Sequence, residues 1–180
     1  MLKITIPGIE MYDEATEEFV ELDAVPLELE HSLAALSKWE SIYEKPFLSS
    51  QEKTLEEVIG YIKAMTLTPE VPEEVFLRLS VANFKEVDKY INAKMTATWF
   101  SDAEPTARNN EVITSELLYY WMTTFQIPFE AENWHLNRLF TLIKICTVKA
   151  SKPKKMSRQD IAARNRELNA RRKKEYNTRG

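Results

Sequence analysis

Glycine is scarce in this chain. Three glycines occur among 180 residues, about a quarter of what the average usage of roughly 7% would supply. Tight β-turns and phosphate-binding loops both depend on glycine, because it adopts left-handed backbone conformations at little steric cost. The shortage argues against an all-β fold rich in tight turns, and neither common glycine-rich nucleotide motif is present.

Residues that perform covalent or metal chemistry are also few. The single cysteine, Cys146, excludes a disulfide within the chain, which fits a reducing compartment. It lies in an apolar run and is predicted to be a buried structural residue. The two histidines, His31 and His135, are far apart in sequence, and neither has a second ligand at zinc-site spacing. On one helix His135 and Cys146 would stand roughly 16 Å apart, too far for proton transfer. We therefore expect no catalytic residues, no metal, no cofactor and no enzymatic activity.

Long hydrophobic runs are missing as well. No segment approaches the roughly 18 uncharged apolar residues of a membrane helix, and the start of the chain lacks the layout of a signal peptide. These absences predict a cytoplasmic protein that does not enter a membrane. Hydrophobic residues make up 44% of the chain, so a folded core is expected.

Charge is distributed unevenly along the chain. Residues 1–150 hold thirteen Lys or Arg and twenty-five Asp or Glu, a net charge of −12. Residues 151–180 hold eleven Lys or Arg and three Asp or Glu, a net charge of +8. This asymmetry predicts an acidic, mainly helical globular domain at 1–150 and a basic tail at 151–180, which consists of a linker and a polar helix.

The basic tail is the strongest functional signal in the sequence. Three interpretations stay open: it docks on an acidic protein surface such as another copy of the chain, it contacts nucleic-acid phosphates, or it only aids solubility. Nucleic acid is the less favoured partner, because the acidic domain would repel phosphates and Tyr176 is the tail's one aromatic residue for stacking. The tail residues predicted to make electrostatic contacts with a partner are Lys154, Lys155, Arg158, Arg164, Arg171 and Arg172.

The apolar pattern predicts a mainly α-helical fold that begins with a small β-hairpin. Apolar residues alternate over 2–6, and 19–22 is the second candidate strand. Two strands are marginal alone, so they must lie on the helices or pair with another chain. From Pro26 the apolar residues recur at steps of three and four, which predicts a helix that ends at Pro46.

Further helices are predicted from capping residues and apolar spacing. Thr54 and Glu57 have the spacing of a capping box, and Ser80 is predicted to cap a later helix. Residues 112–125 are apolar on almost all sides, which predicts a central buried helix. Residues 130–149 are predicted to form the next helix. The helix of the basic tail has few apolar anchors, so we expect it to be loose alone and ordered on binding.

Aromatic residues are concentrated between positions 119 and 134. Plain core packing is the first interpretation of this cluster. The alternative is a hydrophobic groove or a self-association surface, because aromatic residues are enriched at the centres of interfaces. The residues predicted to make apolar contacts with a partner are Trp121, Phe125, Phe129 and Trp134.

Several stretches together carry a family resemblance over nearly the whole chain. They are LEHSLAALSKWES at 29–41, MTATWFS at 95–101, YYWM at 119–122 with IPFE at 127–130, WHLNRL at 134–139, and PKKMSR at 153–158 with NTRG at 177–180. In these stretches the chain resembles a family of small proteins from the tail-gene modules of siphophages, the tailed bacteriophages with long non-contractile tails. Members of this kind look like tail assembly chaperones.

The resemblance implies a helical, non-catalytic protein of the infected host cytoplasm. Such chaperones bind the tape-measure protein and keep its long hydrophobic helices soluble while tail-tube subunits polymerise around it. The predicted function is therefore transient binding of the tape-measure or tail-tube proteins, without membrane or nucleic acid, and with a homo-oligomer left open. The alternative is a structural virion protein of the tail or head–tail connection that self-assembles through its basic tail. No binding residue is carried over from the family.

Overall fold

The fold is mainly helical, with small antiparallel strand pairs at the N-terminus, as the sequence predicts. The computed structural model describes residues 1–13, 18–100, 112–150 and 158–176. The chain divides into two compact units, Met1–Cys146 and Thr147–Gly180. In the described ranges the elements are β1 (Leu2–Ile6), β2 (Ile9–Asp13), β3 (Glu18–Leu22), β4 (Val25–Leu29), α1 (Leu33–Tyr43), α2 (Leu55–Met65), α3 (Glu73–Leu77), α4 (Val81–Ile91), α5 (Ser115–Thr124), a 3-10 helix (Phe129–Asn133), α6 (Leu136–Ala150) and α7 (Arg158–Tyr176).

The N-terminal strands form two nested antiparallel ribbons. β1 pairs with β4, where Ile4 lies opposite Leu27. β2 pairs with β3, where Tyr12 lies opposite Phe19. The hairpin predicted between β1 and β3 is therefore wrong in its pairing. Alternation along a strand identifies the strand but not its partner, and β2 and β4 supply the two partners that the sequence pattern did not reveal.

The helix predicted to open at Pro26 is wrong over its first turns, because residues there form β4. Leu27 and Leu29 alternate inward as strand residues do, although their spacing to Leu33 also matches a helix. The helix α1 begins at Leu33 instead, after Ser32, whose side chain accepts a backbone N–H bond of the first turn at 3.2 Å. Proline has no N–H to donate, and strand pairs accept it at edge positions.

The two predicted helix caps are confirmed. Thr54 Oγ1 accepts from the amide of Glu57 at 3.2 Å, and Glu57 Oε2 accepts from the amide of Thr54 at 2.8 Å. Ser80 caps α4 in the same reciprocal way, with Asn83 as its partner, at 3.2 and 3.1 Å. Each pair satisfies two amides that would otherwise lack partners in the first turn.

The β1–β4 ribbon is built into the helical core. Four side chains of its inner face are at most 3% exposed, namely Ile4, Ile6, Leu27 and Leu29. Asn83 Nδ2 of α4 donates to the carbonyl of Thr5 at 3.1 Å. On the other strand, the carbonyl of Glu28 accepts from the amide of Leu67 at 2.8 Å. Backbone groups at both outer edges of this ribbon therefore have partners outside the ribbon.

The helix α5 is less buried than the sequence predicts. Leu118 and Met122 are fully buried, but Tyr120 is 63% exposed and Trp121 is half-buried. One face of α5 thus packs on the core, and its aromatic residues cover the boundary with solvent. The sequence overstated burial because tyrosine and tryptophan count as apolar, although each places a polar group at the surface.

The single helix predicted over 130–149 is instead two elements, the 3-10 helix and α6. The amide of Leu136, at the start of α6, donates to the carbonyl of His31 at 2.7 Å, so the chain at the junction pairs with the segment before α1. Cys146, predicted to be buried, is half-buried.

The helix α7 is predominantly basic and exposed. It carries seven Lys or Arg residues and three Asp or Glu residues, a net charge of +4. Every side chain described in it, from residue 162 to 176, is exposed. Residues 151–157, where the linker is predicted, lie outside the described residues. No helix in the described ranges is both long enough and apolar enough to cross a membrane.

Candidate functional site

An apolar groove lies between α2 and α4. It encloses about 260 Å³. Its lining is mainly apolar and aromatic, with three polar residues at the rim: Phe47, Val58, Tyr61, Ile62, Phe84, Val87 and Ile91, then Lys53, Asp88 and Asn92. The two helices contribute residues at helical spacings of three and four, so the groove follows from one apolar stripe on each helix.

The stacked rings of Phe47 and Tyr61 form one wall of the groove. The ring of Phe47 stacks on Tyr61 with 3.8 Å between centroids, and it meets Trp39 edge-on at 5.0 Å. Lys53 Nζ stands 4.7 Å from the centroid of the Phe47 ring. Trp39 is buried, and its indole N–H donates to the carbonyl of Glu57 at 2.8 Å. The Trp39 ring therefore supports the Phe47 ring from the side of the core.

A buried carboxylate fixes the loop that carries Phe47. Glu40 Oε1 accepts from the amide of Phe47 at 2.9 Å, and its Oε2 accepts from the amide of Ser115 at 2.7 Å. One side chain of α1 thereby ties this loop to the start of α5. Because both oxygens of this carboxylate accept backbone N–H bonds, the position of the loop relative to α1 and α5 is well determined.

A second carboxylate holds the same loop to α2. Lys45 Nζ lies 2.5 Å from Glu57 Oε1, while the other oxygen of Glu57 accepts the capping bond from Thr54. The hydrogen bond from Lys45, followed by that from the Thr54 amide, lowers the pKa of Glu57. Glu57 thus acts in both the helix cap and the loop anchor.

Below the groove, Tyr61 leads into a polar network in the core. His31 Nδ1 and the Tyr61 hydroxyl are 2.6 Å apart, and the rings of His31 and His135 have centroids 5.0 Å apart. Tyr90 packs edge-on against His135 and donates its hydroxyl proton to Glu30 Oε1 at 2.6 Å. The two histidines, far apart in sequence, are therefore neighbours in the fold.

The network keeps both histidines neutral. Burial, and then the neighbouring His135, lower the pKa of His31 to about 4. Burial also lowers the pKa of His135. His135 Nε2 donates to the carbonyl of Tyr90 at 3.0 Å, and its Nδ1 accepts from the amide of Asn137 at 3.3 Å. A proton on Nδ1 would face that amide, so the surroundings select one neutral tautomer.

The tyrosines of the network stay protonated. Burial raises the pKa of the Tyr61 and Tyr90 hydroxyls above their usual values, and the bond to Glu30 adds to the effect on Tyr90. Tyr61 can therefore donate to a neutral His31. Within the described residues, no three His, Cys, Asp or Glu side chains converge as a metal site would require. The arrangement fixes helix ends and the groove floor.

A second groove, of about 310 Å³, lies beside α2 on the α1 side. It is lined by Tyr43, Leu55, Glu56, Ile59, Gly60, Lys63 and Leu77. The Tyr43 ring occupies the space that a side chain at Gly60 would need, which is the reason for glycine inside this helix. Glu56 and Lys63 supply charge to this groove, and a larger share of its surface is polar than in the groove between α2 and α4.

The four aromatic residues predicted as partner contacts are not gathered into one groove. Trp121, Phe125 and Trp134 are half-buried and pack against the core, and Phe129 is 59% exposed. In the described part of the chain, no ring contact joins two of these four residues. Phe129 instead contacts Tyr119, with 6.4 Å between the ring centroids. The guanidinium of Arg138 covers the Trp134 ring at 4.1 Å. Their role in partner binding stays a prediction.

The predicted basic contacts fall in two groups. Lys154 and Lys155 lie outside the described residues. Arg158 opens α7, and Arg164, Arg171 and Arg172 are exposed along it. Their role in partner binding also stays a prediction.

The sequence did not nominate the residues of the α2–α4 groove. They were interpreted as ordinary core faces of their helices. The spacing of the apolar residues of α2 fits a single face of the helix, so it gave no sign of a groove: Leu55, Val58, Ile59, Ile62 and Met65.

Comparison with known proteins gives no relative. No protein-family model, no curated protein and no solved structure matches the chain.

Proposed function

We propose that the chain is a non-catalytic tail assembly chaperone of a siphophage, which transiently binds the tape-measure or tail-tube proteins in the host cytoplasm. The observation that supports this most is the apolar groove between α2 and α4. It is a concave surface with aromatic walls, of the kind that binds the apolar face of a partner helix. Its rim charges, Lys53 and Asp88, offer one contact of each sign to the polar flank of such a helix.

The groove suits a partner that is a long hydrophobic helix. Two helices already form its walls, so a third helix would bury its ridge between them as in a small helical bundle. Glu40, Glu57 and the Phe47–Tyr61 stack fix the walls beforehand. A prearranged surface loses less conformational entropy on binding, which favours affinity without a large contact area.

The proposal is tested by pulldown of the tagged chain from infected host cells, with mass spectrometry of the captured proteins. Capture of a very long, helix-rich tape-measure protein supports it. Capture of only the chain itself contradicts it, and so does capture of capsid subunits together with tube subunits in the fixed ratio of a virion component.

Matched variants locate the contact on the groove. Val58→Glu and Ile91→Glu place a carboxylate at half-buried positions of the lining, and we expect each to weaken capture roughly tenfold or more. Val81→Glu is the control, because Val81 lies on α4 but is 71% exposed and away from the lining. Equal capture by all three variants would place the contact elsewhere, with Trp121, Phe125, Phe129 and Trp134 as the next residues to change.

A structural virion protein that self-assembles is the second candidate function. The observation that favours it is the exposed surface of the β2–β3 ribbon together with the exposed basic side chains of α7. Mass spectrometry of purified virions separates the two candidates. Stoichiometric presence of the chain supports the structural function, and absence supports the chaperone.

A further inference from the structure

One face of the β2–β3 ribbon carries exposed side chains. Tyr12 and Phe19 lie opposite each other on it, 53% and 69% exposed, with ring centroids 5.1 Å apart in an edge-to-face arrangement. Glu10 and Glu21 are the next opposed pair on the same face, because side chains two residues apart in a strand point the same way. The face thus consists of an aromatic pair beside an acidic pair.

The acidic pair is unfavourable in the ribbon alone. Opposed side chains on a strand pair have Cβ atoms about 5 Å apart, and like charges there destabilise the pairing. In the described residues, none of the ion pairs includes Glu10 or Glu21. A cationic partner would relieve this repulsion, and an arginine would in addition stack on the neighbouring aromatic rings.

The chain itself contains a segment with the complementary pattern. In α7, Leu168 is 41% exposed, and Arg171 and Arg172 follow it by three and four residues. Both arginines therefore lie on the side of the helix that carries Leu168. On α7, an apolar residue is followed one helical turn later by two cations. On the ribbon, the aromatic pair lies two residues along the strands from the two carboxylates. The two patterns are therefore complementary in charge and similar in spacing.

We infer that the β2–β3 ribbon of one copy binds α7 of a second copy. Leu168 packs against Tyr12 and Phe19, and the two arginines pair with Glu10 and Glu21. Because each chain carries both halves, a two-fold symmetric dimer makes the contact twice. The second contact then forms within an already joined pair, which strengthens a contact that is small when taken once. The inference does not depend on the proposed chaperone function.

The test is a charge exchange in the full-length chain, with mass measured by sedimentation velocity across a range of concentrations. One variant is Glu10→Arg with Glu21→Arg, and the other is Arg171→Glu with Arg172→Glu. In each variant the side chains at positions 10 and 21 have the same sign of charge as those at 171 and 172, so each variant alone should dissociate at concentrations where the wild type is a dimer, with affinity lowered roughly tenfold or more. Mixed together, the two variants should form a heterodimer, because opposite charges then meet at both contacts.

Two controls keep the result interpretable. Glu86→Arg with Glu130→Arg makes the same change of charge at exposed sites outside the ribbon and should leave the dimer intact. Glu10→Gln with Glu21→Gln removes the attraction to the two arginines, so it should weaken the dimer. It also removes the repulsion within the ribbon, so the ribbon should stay folded. A monomeric wild type at every concentration, single variants that dimerise like the wild type, or a mixture that stays monomeric would each overturn the inference. If α7 bound the ribbon of its own chain instead, the wild type would be monomeric at every concentration.

Discussion

The two ribbons at the N-terminus have the same length and the same antiparallel pairing, yet they differ in what surrounds them. In β1–β4 the inner side chains are at most 3% exposed, and both outer edges bond to neighbouring elements. In β2–β3 the aromatic pair is more than half exposed. A two-stranded ribbon is marginal by itself in water. The comparison therefore indicates that β1–β4 supplies stability to the fold and that β2–β3 supplies less, which is consistent with our inference that β2–β3 binds a partner.

The largest effect should come from the core of the covered ribbon. Leu27 is fully buried, so Leu27→Ala should lower the free energy of unfolding by about 3 kcal/mol through lost burial and a cavity. Leu55→Ala is the control, because Leu55 is 67% exposed and its truncation should cost less than about 0.5 kcal/mol. Urea unfolding followed by circular dichroism measures both. Similar losses in the two variants would show that β1–β4 is not the stabilising ribbon.

Acidification should destabilise the packing around His31, which lies between β4 and α1. His31 has a folded pKa of about 4, below its unfolded value, so the unfolded chain binds more protons as the pH falls from 6.5. The free energy of unfolding should therefore fall on acidification between pH 6.5 and about 4, by about 2 kcal/mol at pH 5 from this residue alone. The lowered pKa of His135 acts in the same direction.

This pH dependence is measured by urea unfolding at half-unit steps from pH 7.5 to 5, above the range in which most carboxylates titrate. A stability that stays constant over that range would contradict neutral, buried histidines. In a His31→Gln variant the slope of stability with pH should decrease, whatever the variant's stability at neutral pH.

A smaller effect is expected at the bond between α4 and β1. Asn83→Ala removes the donor to the Thr5 carbonyl and the reciprocal cap of Ser80, so it should cost about 1.5 kcal/mol. Asn92→Ala, at the exposed end of the same helix, loses only bonds to Asp88 and should cost less than about 0.5 kcal/mol. Thermal unfolding of both variants measures the difference. Equal shifts in melting temperature would mean that this bond does not help to hold β1.

The smallest effect on stability should come from the exposed ribbon. Phe19→Ala removes one ring of the cross-strand pair with Tyr12 and should cost only about 0.5 kcal/mol in the monomer. The same change should weaken self-association clearly, because the ring is part of the inferred contact. If Phe19→Ala destabilises the monomer as much as Leu27→Ala does, the proposed difference between the ribbons is wrong.

The sequence predicted the fold class and the helix caps because both are local properties. Thr54 and Ser80 are recognisable from residues three positions away, and the structure has both caps. Strand pairing and the start of α1 were not predicted correctly. Alternation does not identify the partner of a strand, and the spacing of Leu27, Leu29 and Leu33 matches both strand and helix periods.

Only part of the candidate site was accessible from the sequence. The contact between His31 and His135, and the floor that Tyr61 forms above them, arise from packing of segments far apart in the chain. The α2–α4 groove likewise needs the relative placement of two helices, which no local pattern encodes. The tail was identified by charge alone, because net charge needs no knowledge of packing.

Hydrogen exchange of the wild-type chain, diluted until it is monomeric, tests the difference between the ribbons most directly. Mass spectrometry of proteolytic fragments would report β1 and β4 separately from β2 and β3. The account predicts that amides of β1 and β4 are among the slowest to exchange, while those of β2 and β3 exchange through local opening at much lower cost. Equal protection of the two ribbons in the monomer would contradict it, since β2–β3 would then be stable without a partner.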